Sequence, residues 1–452
     1  MGDVLVAFVD CHWKHINSNS SHKHSLDKGE ATPSPTHQEA EQPATKAKAG
    51  VMFPPPGGLC QAQLREECPH LASTSPASTT LSEVVLNSSV PPSPRLTQLL
   101  EGLNQPGDSG NPPHPPQWLD RELFDRGRKF CSRYLFSLSF SELLSLVLML
   151  STERALRPLI YTGQSDTPLK AMKRYVSTLL HIVTWFTGDV WAPEDSAHED
   201  ILSIRYTHNK LAKGFNSSPT CNEKVRNISV SERGHEEPSN SLNKVIRQDL
   251  QRVVEDKLYL ENDKPIVYMS QLDMALTQYS FMGLIVTHPE KMGAGAATEE
   301  ELAGLIHFWR GLGWLLGIDD KYNLCSGSVK ETKELCLEVE RLIAIPSLAV
   351  VDWDYEHMAA SLITGIGYII PILSYPAMFR YLAYTINFPI PAFVSRMSYR
   401  HSFQYWVMRM TFGLILLLPW LSLRFSSSFR TLVDRVQKRN KSNKSSRCPF
   451  SK

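Results

Sequence analysis

The sequence predicts a mainly α protein with a disordered N-terminal tail and apolar C-terminal helices. Three observations carry that expectation. Apolar residues recur at helical spacing from about residue 118 to 350, while few segments alternate with the period of two that strands need. Of the 30 prolines, 16 fall within the first 116 residues. The last third of the chain holds long uncharged runs.

Residues 1–115 are expected to be disordered. Pro54-Pro55-Pro56, Pro91-Pro92 and Pro112-Pro113-His114-Pro115-Pro116 cannot continue a helix or a central strand. Such a segment buries too little apolar surface to offset chain entropy. His12, His15, His22 and His24 are read as part of a solvated tail rather than a metal site. The first residues lack the basic stretch, long apolar core and small-residue site of a secretory signal. No Ser or Thr stands at position 6 for myristoylation.

Order is expected from Trp118. Residues 136–150 form an apolar run, interrupted by Glu142 and serines, that suits a buried helix. Residues 170–186 place Met172, Leu179 and Phe186 at helical spacing, with Gly188 as the stop. Residues 200–213 put Ile201, Ile204, His208 and Leu211 on one stripe. The polar stretch 215–245 reads as a surface loop or linker inserted into the 116–350 domain. Helical patterns return at 245–257, 269–286 and 298–317, the last opened by Thr298 and Glu301 at capping-box spacing.

In the apolar third, taken as 351–425, residues 358–379 carry no charge and are long enough to cross a bilayer. Gly365, Gly367, Pro371 and Pro376 suit a kinked helix. The tail 426–452 is basic, net +7, as in a cytoplasmic flank or a segment touching anionic lipid. Membrane association, by spanning or by monotopic insertion, is the expectation, with the endoplasmic reticulum one candidate compartment. The alternative is a cytoplasmic protein whose apolar segments are core helices.

Charge excludes one class of function. The chain has 47 Lys+Arg against 46 Asp+Glu, a net +1, so nucleic acid is not an expected partner. Eight cysteines without a C-x-x-C pair argue against a disulfide scaffold and a cysteine zinc site. H-E-x-x-H, G-x-S-x-G, a P-loop and a dinucleotide fingerprint are all missing.

Two consecutive helices hold the remaining signal. Arg174 and Thr178 lie about 40° apart on one helix face, with His181 close by. His208 lies on the apolar stripe of the next helix. A buried Arg or His needs a partner, because leaving it uncompensated is expensive. A haem would supply one, with the His as axial ligand. A core histidine satisfied by protein is the other reading, and spacing leaves both open.

The run Arg174-Tyr175-Val176-Ser177-Thr178, followed by Ile204-Arg205-Tyr206-Thr207-His208, resembles the core of the latex-clearing-protein family. That family includes the bacterial rubber oxygenase and the fungal ER-bound oxygenase of mycophenolic acid biosynthesis. Met269-Ser270-Gln271-Leu272-Asp273-Met274-Ala275-Leu276-Thr277-Gln278 and the stretch from Trp309-Arg310 through Gly313 and Gly317 to Asp320 resemble later elements of it. The resemblance spans roughly residues 118–350.

It implies a globin-like helical bundle holding haem b. His208 would be the iron ligand, and Arg174 and Thr178 would lie beside the haem in catalytic roles. The expected activity is that of an oxygenase using O₂ on a hydrophobic, isoprenoid-type substrate. Ser177 stands where the rubber oxygenase has lysine, so an acid/base role does not carry over, and Glu153 is a weak substitute. His181 and His198 are rival ligands, and Arg310 is assigned to an ion pair rather than to a propionate. The competing expectations are a non-catalytic membrane-anchored bundle and a haem sensor or carrier without turnover.

Overall fold

Helix α1 (Pro94–Glu101) opens the ordered chain of the computed structural model, which describes residues 85–87, 91–252, 254, 257–259 and 266–445. The disordered-tail expectation for residues 1–84 lies outside these residues. For 94–104 it is wrong. Ser93 caps α1 by accepting from the Leu96 N–H, and Pro94 takes a first-turn position, where a missing N–H costs nothing. Leu96, Leu99, Leu100 and Leu103 are buried.

Next come α2 (Arg121–Arg133), α3 (Leu135–Met149), α4 (Glu153–Thr162), α5 (Pro168–Thr187) and α6 (Ser196–Phe215). Then follow α7 (Pro219–Asn227), α8 (Asn243–Leu250), α9 (Gln271–Thr287), α10 (Glu299–Leu315), α11 (Val329–Val339) and α12 (Ile345–Leu348). The last helices are α13 (Trp353–Gly367), α14 (Tyr375–Thr385), α15 (Pro391–Arg396), α16 (Tyr399–Leu417) and α17 (Trp420–Ser445). A two-stranded antiparallel ribbon pairs β1 (Val85–Asn87) with β2 (Lys257–Tyr259). The protein is therefore mainly α. The expected 245–257 helix stops at Leu250, short of β2.

The core forms where α2 crosses α10, α3 packs on α9, and α5 packs on α13 and α6. The first crossing needs glycine. A Cβ on Gly127 would fall 2.2 Å from the Gly304 carbonyl, so the two backbones touch. On α13, a Cβ at Gly365 would fall 2.2 Å from the Pro168 carbonyl. The Thr298–Glu301 capping box is present, and others open α9 and α11.

The 215–245 segment is not a linker. Ser218 caps α7, and Phe215 and Val225 form an apolar cluster with Ile266 and Tyr268. Asp354 accepts from the Val230 N–H, while Glu356 accepts from the Leu242 and Asn243 N–H groups. The polarity of the segment thus reflects capping and bridging groups at its packed ends as well as the mostly exposed stretch 231–240 between them.

The 358–379 run is not one helix. It is divided between α13 and α14, and Met358, Leu362, Ile363, Ile366, Met378 and Phe379 are buried. Core packing explains its apolarity. Among the described residues no single helix is long and apolar enough to cross a membrane; α2 and α3 together pass that test but bend by 86°. The 426–452 tail is helical as far as Ser445, a continuation of α17.

Candidate active site

Helices α5 and α6 position the expected residues. Pro168 occupies the first turn of α5, and the Gly188 N–H closes it on the Thr184 carbonyl. Asp195 caps α6 by accepting from the Ala197 N–H. A loop clamp fixes α6 from outside, where Asp108 accepts from both Arg205 and Asn209. Together with backbone donation from Gly110, these contacts hold the Asp108 carboxyl below its usual range against the opposing effect of burial.

The two helices bring Arg174 and His208 together. Burial, reinforced by the Arg174 charge, pushes the His208 pKa down to about 4, so its imidazole is neutral near pH 7. Its Nδ1 is buried with no hydrogen-bond partner. A neutral imidazole is the form that ligates a metal, and here only Nε2 could do so, since Nδ1 is closed off by protein. The hydrogen-bonded outer group that usually orients a ligating histidine is missing at Nδ1.

Arg174 has no ion pair or side-chain hydrogen bond among the described residues. Neighbouring atoms that displace water push its pKa down to about 10, although the residue itself is exposed. Thr178 is one turn further along α5, its hydroxyl donating to the Arg174 carbonyl at 3.1 Å. Ser177, just before Thr178 in sequence, is partly buried about 60° around α5 from Arg174, on the side away from Thr178.

The rival histidines are engaged. His181 Nδ1 lies 2.9 Å from each Asp200 carboxylate oxygen, and Trp185 Nε1 donates to the same carboxylate at 2.8 Å. His198 is buried with Nδ1 2.7 Å from the Val190 carbonyl. Glu153 lies half-exposed, paired with Arg157 at 3.2 Å. Arg310 forks onto Asp320 at 2.8 and 2.6 Å and stacks on Trp118, the ion pair expected of it. Trp309 is a core residue stacked on Phe281, and the His307 Nε2 accepts from the Asp120 N–H.

One polar group was passed over in the sequence. Glu142 on α3 is buried with Oε1 unpartnered, and burial pushes its pKa up to about 8. The Ser141 and Ser145 hydroxyls beside it in sequence are also buried and unpartnered. An acid inside an apolar run was the available signal. Glu142 lies close enough to act on the Tyr175 phenol, which sits about 60° around α5 from Thr178 and about 100° from Arg174.

Among the described residues no cluster of three His, Cys, Asp or Glu is arranged to hold a metal ion. No family model and no curated protein matches the chain. Among solved structures it is similar to one described as the structure of latex clearing protein LCP in the closed state. That likeness has 14% identity and a TM-score of 0.48, covering 75% of this chain and 85% of the other. A likeness of this size carries nothing about cofactor or reaction.

Proposed function

We propose that this chain is a haem b-dependent oxygenase in which His208 is the single protein ligand to iron, acting with O₂ on a hydrophobic, isoprenoid-type substrate. The observation that carries the reading is the pair of unpartnered groups on facing helices: the neutral His208, with Nδ1 uncommitted, and the unpaired Arg174 beside it. One imidazole cannot make a site for a bare ion. It suits a metal that brings its own equatorial ligands, as haem iron does.

When bound, haem b supplies the redox-active iron at which dioxygen chemistry takes place. The chain's residues supply the rest. His208 fixes the group. Arg174, still protonated near neutral pH, presents a positive charge to a polar or anionic partner beside His208. Thr178 offers a hydroxyl oxygen on the same face of α5. The resemblance of the Arg174–Thr178 and Ile204–His208 runs to the latex-clearing-protein family motivates the substrate class.

The test is the visible spectrum of the purified full chain after haem supplementation, with a pyridine haemochrome assay for stoichiometry. A Soret band that His208→Ala abolishes while His181→Ala and His198→Ala keep it supports the assignment. A colourless, folded protein refutes it. Haem bound without alkene-dependent oxygen consumption would leave a sensor or carrier.

A further inference from the structure

We propose that α16 and the first turn of α17 form a monotopic docking surface for an anionic lipid bilayer, with α16 lying in the interface rather than crossing it. The proposal is independent of whether His208 binds haem. Ten of the fourteen large hydrophobic residues exposed among the described residues fall between Tyr399 and Leu423. On α16 they form a stripe. Tyr399, Phe403, Trp406, Met410, Leu414 and Leu417 follow one another at intervals of three or four, within a sector roughly 80° wide and about 27 Å long.

The opposite face of α16 is committed to the protein. Gln404, Tyr405, Met408, Phe412 and Ile415 are buried, and Gln404 is hydrogen-bonded to Ser374 and the Pro371 carbonyl. The helix is thus seated on the bundle while its outer face is apolar, where a helix facing water would be polar. Exposures of 64% for Phe403, 53% for Trp406 and 62% for Met410 rule out a shallow edge of the core. The stripe continues around the corner through Leu418, Trp420 and Leu423. The outer face of α17 then turns polar at Arg424, Ser427, Ser428 and Thr431.

Charge selects the occupant. Residues 357–433 contain no Asp, Glu or Lys, but six arginines: Arg380, Arg396, Arg400, Arg409, Arg424 and Arg430. Arg400 and Arg409 flank the stripe, about 100° and 80° from its start at Tyr399 on either side. A cleft of about 970 Å³ beside Leu423 adds Arg128, Lys129 and Arg133; the arginines are paired with Asp125 and Glu301, and Lys129 has no partner among the described residues. An apolar stripe on a helix that carries arginines and no acid of its own matches hydrocarbon below anionic headgroups, with Asp125, Glu290 and Glu301 the acids near its edges. A second copy of the same surface would oppose like charges across a symmetric interface, which disfavours self-association.

The experiment is co-sedimentation of the full chain with phosphatidylcholine vesicles, with and without about 30% phosphatidylserine, alongside tryptophan emission and light-scattering mass. Binding to the anionic vesicles, weaker binding to the neutral ones and a blue shift reduced in Trp406→Phe and lost when Trp420→Phe is added are expected. The triple variant Phe403→Ser, Trp406→Ser, Met410→Ser should lose partitioning on the order of tenfold or more, with unchanged circular dichroism and melting. Arg400→Gln with Arg424→Gln should weaken anionic binding alone and reduce its salt sensitivity. No binding to either vesicle, equal binding by the folded triple variant, or a concentration-dependent dimer that the triple variant abolishes would overturn the proposal.

Discussion

Arg154 on α4 is buried and Arg174 on α5 is exposed beside a partly buried histidine, and the two cations differ as sharply in their partners. Arg154 donates to both Asp273 oxygens, to the Leu103 and Val267 carbonyls and to the Ser270 hydroxyl. It ties the α1 end, the chain before α9 and the α9 cap into one junction. Arg174 has no such partner among the described residues, and its charge falls on the neutral His208. A buried cation is tolerable when its donors are met. The junction at Arg154 is therefore architecture, while the unmet pair at Arg174 and His208 has the character of a place prepared for something else. The α16 stripe departs from the same rule in the other direction, with apolar groups outside.

The largest effect follows from breaking the satisfied case. Arg154→Ala strands Asp273 and leaves two buried carbonyls without a donor, and a loss of about 3–5 kcal/mol is expected in denaturant unfolding. A loss under about 1 kcal/mol would show that water replaces the guanidinium at little cost and would undo the contrast.

Glu142 tests whether an unmet buried group always destabilises. Its carboxyl titrates near 8 in the folded state, well above the ordinary carboxylate value of 4.5. Between those values the folded state holds a proton that the unfolded state releases, so stability falls as pH rises from about 4.5 to 8. Glu142→Gln should remove this slope and gain on the order of a few kcal/mol at pH 8. A wild-type melting temperature flat across that window would mean that Glu142 is hydrated or paired in solution. His208 gives the reverse sign. With its pKa pushed from 6.5 to about 4, the haem-free protein should lose stability as pH falls through that interval, and His208→Gln should flatten the loss.

Local signals were legible and partners were not. The Thr298–Glu301 box, the Gly188 stop and the stripe of α10 follow from spacing, because capping and amphipathicity act within a few residues. Residues 94–104 were grouped with the proline-rich tail since a proline that starts a helix, as Pro94 does, and one that ends it look alike without the buried leucines behind it. The polar run after Phe215 looked like a linker because its partners, Asp354 and Glu356, lie more than 100 residues away. At the candidate site, the helix faces of Arg174, Thr178 and His208 could be computed from the sequence. Which histidine lacks a partner could not, since Asp200 and the Val190 carbonyl decide it through packing.

The smallest change in stability is expected at Arg174, to which the proposed function gives a role beside the cofactor. Arg174→Met keeps the length and apolar stem of the side chain and removes a charge with no partner to strand. The haem-free protein should therefore be unchanged within about 1 kcal/mol, or gain stability, in contrast to Arg154→Ala. With the Arg174 charge gone, the His208 pKa should rise toward its ordinary value, measurable by NMR titration of the imidazole. Haem titration of the same variant separates the two roles open to Arg174. If the guanidinium meets an anionic group of the cofactor, affinity falls with the charge; if it faces only the iron-bound partner, affinity holds and oxygen consumption alone declines. A large destabilisation of the haem-free variant would instead place Arg174 with Arg154 as architecture.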